Sequence, residues 1–270
     1  MFRSIALGGG GVRGGIMIGG LAALEKHQPL VFPDGIYGCS VGSILATALA
    51  FKIPVHGIRA MFDTDFRLDG VMPSINLTSL TSFAAEKALF TMDGLRETVV
   101  RAFENQGIDL RNAVIADAPQ KLFILASNLT TRKAVFLTGS VSVLDAICAS
   151  SCLPFVFHPQ IIYNNVYIDG AFYAHNIHKI VPVDCLVFHI SRADLTITTD
   201  RLKKMSITDY ASTIYEASRA GTITENVVWF KNDKIGLLEE PTDDQRIEMY
   251  SEGFDQASRF LAKRLPEVVG

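Results

Sequence analysis

A serine sits between two glycines in Gly38-Cys39-Ser40-Val41-Gly42, just after a short apolar run and just before a long one. This G-x-S-x-G spacing suits a nucleophile held on a sharp strand-to-helix turn. A serine hydroxyl attacks an acyl carbon only when a base takes its proton. Donors must also receive the charge that develops on the carbonyl oxygen. The chain has candidates for both. Upstream lies the run Gly8-Gly9-Gly10-Gly11-Val12-Arg13-Gly14. Its glycines carry no Cβ, so the backbone can approach a reacting group closely, and amides at a helix N-terminus can hold negative charge. Gly10 and Gly11 are the candidate donors. The same residues, Gly9 to Gly14, also match G-x-G-x-x-G, a dinucleotide signature when it follows a strand. That alternative wants an acidic residue at the end of the second strand to hold a ribose. Asp34 comes before that strand, and the serine turn is left unexplained.

The base is open to two readings. In one, a histidine oriented by an aspartate follows the serine in the chain order Ser, Asp, His. His175, His178 and His189 all follow Asp169 and satisfy that order. None has a distinguishing local motif, and only one strand comes before the strand that ends at Cys39, whereas that hydrolase type places its serine after several. In the other reading an aspartate acts directly. Its ordinary pKa is ~3.9, so burial must raise it or the oxyanion must be very well stabilised. Four Asp-Gly pairs occur, at Asp34, Asp69, Asp93 and Asp169. Asp34 suits a turn, Asp69 a polar loop and Asp93 a helix cap. Asp169 differs because it ends the apolar run Val166-Tyr167-Ile168, with Gly170 permitting a sharp exit from a buried strand.

The elements needed to position these residues can be read from periodicity. Ser4–Leu7 is a strand candidate, and Ile16 to Lys26 has helical spacing. Ile36 to Cys39 is a second strand, and Val41 to Phe51 a buried helix. Strand, glycine loop, helix, strand, serine turn, helix is an α/β opening. Further on, Asp93 is placed to cap a helix to about Phe103, and Ser142 one to Ala149. Strands are expected at Leu122–Ala126, Ala134–Leu137 and Cys185–Ile190. A hairpin is expected at 161–168 with Asn164-Asn165 as its two-residue turn. Helical periodicity covers Asp209 to Ala220 and Asp243 to Leu265. The last stretch is amphipathic, as expected of a helix packed on the sheet or lying on a membrane surface. Phe62 to Leu95 is apolar without a clean period, which fits either a lipid-facing cap or loop-rich core.

Composition sets the limits. The chain has 270 residues, 49% of them hydrophobic, enough for one large core. No repeat, low-complexity run or linker divides it, so the expected organisation is one domain over 1–270. Net charge is -3, with no basic stripe, which excludes nucleic acid as the expected partner. No run reaches the ~18 apolar residues of a membrane span. Mean hydropathy is nonetheless +0.26, as a generous core or a lipid-facing surface would give. Cys39, Cys148, Cys152 and Cys185 form no C-x-x-C pair. With only His158 close by, they read as buried free thiols in a reducing, cytoplasmic setting rather than as a metal site.

Taken in order, GGGVRG (Gly9–Gly14), GCSVGS (Gly38–Ser43) and DGA (Asp169–Ala171) resemble the patatin-like phospholipase family. The segment Ala149 to Pro159 and the position of Asn176 add to the resemblance, which spans about residues 4 to 190. It implies a three-layer α/β/α sandwich and a Ser–Asp dyad without a catalytic histidine. Ser40 would be the nucleophile and Asp169 the base. Gly9, Gly10, Gly11 and Val12 would form the oxyanion hole, with Arg13, Gly38, Gly42 and Gly170 in support. Arg13 would fix the loop or meet a lipid headgroup. The implied activity is hydrolysis of acyl esters in membrane or micellar lipid, at the membrane periphery of the cytoplasm or of a host's cytoplasm. No metal or organic cofactor is implied, and an activating protein partner is compatible with it. Ala171 stands where the family commonly has glycine. The competing functions are a non-catalytic lipid-binding protein of the same fold and a dinucleotide-dependent oxidoreductase. Residues 208–265 carry no motif and are expected to pack as helices on the rest.

Overall fold

The computed structural model describes residues 1–72, 83, 87–174, 176–191, 198–205, 210, 213–214, 226–232 and 234–264. Strand β1 (Ser4–Leu7) leads through a 3-10 turn (Gly11–Gly14) into the helix Gly15–Glu25, and β2 (Gly35–Cys39) leads into the helix Val41–Ala50. Helices Val55–Thr64 and Leu68–Val71 precede β3 (Ala88–Phe90) and the helix Asp93–Glu104. Then come β4 (Leu122–Asn128), β5 (Lys133–Leu137), the helix Val143–Ser151, β6 (Phe155–Phe157), β7 (Gln160–Ile162) and β8 (Asn165–Asp169). The short helix Ala171–Ala174, β9 (Leu186–Ser191), the helix Thr199–Lys204, β10 (Val227–Lys231) and the helix Asp243–Leu261 complete the described elements.

The main sheet runs β10-β9-β1-β2-β4-β8-β7, with β5 also paired to β4. The five strands from β10 to β4 are parallel. β1 and β2 are buried along their whole length, as parallel strands covered on both faces must be. Phe188 and Phe230 meet edge to face at 5.1 Å and pack over Gly20 of the first helix. Their strand neighbours His189 and Trp229 therefore point to the opposite face. There both meet His178, at ring distances of 6.1 and 5.6 Å. His178 belongs to a 3-10 turn, Ile177–Lys179, which lies beside the helix Ala171–Ala174. The sheet is thus covered on both sides, and the fold is the expected α/β/α sandwich. One hydrophobic cluster takes in residues from Ile5 to Leu261.

The amphipathic last helix packs on the first helix. Its buried stripe is Met249, Gly253, Ala257 and Leu261, spaced by four. A side chain at Gly253 would collide with the Ile16 carbonyl, and one at Gly19 with the Tyr250 carbonyl, so the two backbones touch where they cross. Thr242 starts this helix with a capping box to Gln245.

Two local expectations are corrected. Ile162 pairs with Asn165, so the hairpin turn is Tyr163-Asn164, not Asn164-Asn165. Both turn residues have positive φ, 48° and 62°, the type I′ geometry whose twist matches a hairpin. Asp93 is the first residue of its helix, and Met92 occupies the cap position. The helix expected over 209–220 lies outside the described residues, apart from 210, 213 and 214.

Candidate active site

Strand register brings Ser40 and Asp169 together. Cys39, the last residue of β2, pairs with Leu125 of β4. Asp169, the last residue of β8, pairs with Ala126, the next residue of β4. β5 pairs with both Leu125 and Ala126, so it occupies the other edge of β4. β2 and β8 must then share one edge. One runs parallel and the other antiparallel to β4, so they meet head to head at adjacent positions. The chain leaves β2 through Ser40 and leaves β8 through Gly170, and both Ser40 and Asp169 line one cleft.

Ser40 has φ 55 and ψ -130, a strained backbone conformation for a residue with a side chain. Three groups hold it. Its amide donates to Ser150 Oγ at 2.9 Å. Its carbonyl accepts from the Ser43 amide at 2.7 Å and from Ser43 Oγ at 2.6 Å. Ser150 Oγ in turn donates to the Leu125 carbonyl at 2.6 Å, so it bridges the Ser40 turn to β4. The flanking glycines are explained by contact. A Cβ on Gly38 would stand 2.5 Å from the Gly42 carbonyl, and one on Gly42 would stand 2.5 Å from the Gly8 carbonyl. The turn therefore presses directly on the glycine loop.

Asp169 is 2% exposed, and its Oδ1 accepts the Ala171 amide at 3.0 Å. The strand end is pinned by two further bonds, from the Asp169 amide to the Cys152 carbonyl and from the Gly170 amide to the Ser150 carbonyl. Ser150 thus touches the turn on each side of the Ser40–Asp169 pair. It lies in the segment Ala149 to Pro159 that adds to the family resemblance, but no spacing within that segment marks its bonds.

In the glycine loop, the Gly8 amide is bonded to Phe188 and the Val12 amide donates to the Leu237 carbonyl at 3.1 Å. Val12 is therefore removed from the expected donor set. Gly9, Gly10 and Gly11 line the cleft, and no partner among the described residues takes up their amides. Val41, which follows Ser40 at the start of its helix, also lines the cleft and is an added candidate donor. Arg13 is 2% exposed and its Nε donates to the Gly10 carbonyl at 3.3 Å, so it fixes the loop rather than meeting a headgroup.

The cleft has a cavity volume of about 120 Å³. Its walls are mostly apolar, with Ile44, Phe62, Phe66, Leu153 and Phe157 prominent. From the aperiodic stretch 62–95, Leu68, Val71, Met72 and Leu95 join this wall, while Leu77 and Leu80 lie outside the described residues. Phe90 belongs to the core. His178 and His189 do not line the cleft, and His175 lies outside the described residues. Burial, reinforced by Lys179, pushes the His178 pKa down. All four cysteines are buried and outside any disulfide, and no cluster of metal-ligating side chains occurs among the described residues.

The family model for patatin-like phospholipase matches residues 5–181. The chain belongs to the patatin-like phospholipase family. The matched span holds the glycine loop, the Ser40 turn and Asp169, and stops before β9. A curated relative, the cGAMP-activated phospholipase of Escherichia coli (strain TW11681), is 27% identical over 196 residues. That alignment covers 64% of this patatin-like chain and 53% of the relative, so the chain spans about half the length of the curated relative it matches. Among solved structures, VipD from Legionella pneumophila matches with a TM-score of 0.60 at 14% identity, over 97% of this chain and 67% of that one. ExoU in complex with SpcU, from Pseudomonas aeruginosa, matches with a TM-score of 0.50 at 15% identity, over 98% of this chain and 53% of that one. At these identities the structural likeness concerns the fold.

Proposed function

We propose that this patatin-like domain hydrolyses carboxylic esters of lipids through an acyl-enzyme on Ser40. The observation that supports this most is the head-to-head meeting of β2 and β8 on one edge of β4, at an apolar cleft. The acyl chain lies along the apolar wall. Ser40 Oγ attacks the ester carbonyl carbon as Asp169 takes its proton. The amides of Gly9, Gly10 and Gly11, with that of Val41, receive the oxyanion. Collapse expels the alcohol, which takes the proton back from Asp169. Water then attacks the acyl-enzyme with Asp169 again as base, releasing the fatty acid. The chemistry needs neither metal nor cofactor. The dinucleotide alternative leaves the Ser40 turn unexplained, and the Val12 amide of the loop is already taken by the Leu237 carbonyl.

No helix among the described residues is long and apolar enough to cross a membrane, and we place the substrate contact at the periphery of a bilayer or micelle, in the cytoplasm or a host's cytoplasm. The continuous hydrophobic cluster supports reading the chain as one domain. The curated relative is a cGAMP-activated phospholipase and ExoU occurs in complex with SpcU, so an activating ligand or a protein partner is proposed here too. The test is fluorophosphonate labelling, with mass spectrometry of the adduct, on wild type and Asp169→Asn. We expect an adduct on Ser40 that is slowed by about 100-fold or more in the variant. An adduct that survives Asp169→Asn but is lost on substituting a histidine would mean the base is wrong. No adduct, even with membranes and cell extract, would favour the lipid-binding alternative.

A further inference from the structure

The cleft is completed by residues outside the family match. Leu237 and Leu238 line it, and the Leu237 carbonyl accepts the Val12 amide. That carbonyl also lies against Gly11, at φ +55, where any side chain would collide with it. Glu240 accepts from the Leu68 amide at 2.7 Å and from Arg246 at 2.6 Å. Arg246 has a side chain only 9% exposed. It donates to the Phe62 carbonyl at 2.6 Å and to the Phe66 carbonyl at 3.2 Å. Those carbonyls sit at the end of the helix Val55–Thr64, and the rings of Phe62 and Phe66 form cleft wall. One guanidinium therefore joins the wall to the 237–246 strap, and the strap's own carbonyl grips the glycine loop. The planar fork of arginine suits this divergent set of acceptors, and a lysine ammonium could not span it.

Resting on the Ser40 reading above, we infer that Arg246, with Glu240 as its carboxylate partner, is a positioning residue for the oxyanion loop. It holds the strap so that Leu237 takes up the Val12 amide and sets the turn at Gly11. The amides of Gly9, Gly10 and Gly11 are then the ones left to face the substrate. A displacement of about 1 Å in such a group costs about 100-fold in rate. If Arg246 merely capped the helix Val55–Thr64, its loss would lower stability without a selective effect on the loop.

The experiment compares wild type, Arg246→Ala and Glu240→Gln by Ser40 labelling rate and by amide hydrogen exchange at Val12. In Arg246→Ala we expect labelling slowed by about 10- to 100-fold. Exchange at Val12 should be about tenfold faster or more, with the helix Val41–Ala50 still protected. Guanidinium added at tens of millimolar should restore labelling in Arg246→Ala and leave Glu240→Gln and wild type unimproved. Unchanged exchange at Val12 in both variants, or loss of protection spread evenly over the core, overturns the inference. Should Arg246→Ala fail to fold, Glu240→Gln decides by the same readouts, since that carboxylate side chain is 43% exposed. Should wild type take no probe, the Ser40 reading fails, yet Val12 exchange in the variants still supports or overturns the role of Arg246.

Discussion

Removing one oxygen, in Ser150→Ala, should damage both the stability and the reactivity of the Ser40 turn. Ser150 is fully buried, and its hydroxyl accepts from the Ser40 amide while donating to the Leu125 carbonyl. Alanine leaves both backbone groups without this partner, the Leu125 carbonyl in the core and the part-buried Ser40 amide beside the cleft. A buried polar group so orphaned costs about 1–3 kcal/mol. The void left by a hydroxyl is too small to admit a bridging water without rearrangement, because a water needs ≳ 10–15 Å³ of its own. Two groups at the lower half of that range give about 3 kcal/mol, which for a chain of this size lowers the melting temperature by about 5 °C. Reactivity falls for a separate reason. The positive φ of Ser40 stores about 1–3 kcal/mol, and with its amide released the turn can relax. A loss of 1.4 kcal/mol in positioning is about tenfold in labelling rate. Thermal melts and fluorophosphonate labelling of the purified variant read the two effects. A variant that melts with wild type and labels at the wild-type rate would refute the reasoning, because the bridge would then hold nothing.

Two further outcomes follow from the same contacts. Gly42→Ala places a Cβ against the Leu7 and Gly8 carbonyls, which are backbone and cannot step aside, so we expect a loss of about 3 kcal/mol or more in urea unfolding and no Ser40 adduct. Burial pushes the Cys148 and Cys185 thiols up to about 12 from the ordinary 9.0. Both should resist alkylation at pH 8 until the protein unfolds. Because the folded pKa is raised, the unfolded thiols ionise first. Stability is therefore full below pH 9 and falls as the pH rises from 9 towards 12, which urea midpoints measured across that range will follow.

The sequence by itself determined the parts of the site that are built locally. The glycines at 38 and 42 exist because the turn around Ser40 folds back on itself and on the loop at Leu7–Gly8, and such close approach leaves a readable pattern. The apolar run ending at Asp169 likewise announced a carboxylate at a buried strand end. The amphipathic stripe of the last helix was legible because its period is set by helix geometry alone, although whether it would meet protein or membrane was not. The exact hairpin turn is not legible, since two neighbouring asparagines look equally suited and only strand pairing selects Tyr163-Asn164. Tertiary structure decided the rest. That Ser40 and Asp169 meet depends on β8 running antiparallel along the edge of β4 that β2 occupies, a choice made by pairing far along the chain. Ser150 acts through one hydroxyl 110 residues from its partner. Leu237 and Arg246 act through backbone carbonyls, their own or those of Phe62 and Phe66. A backbone carbonyl is the same at every residue, so no sequence pattern can mark which ones will matter.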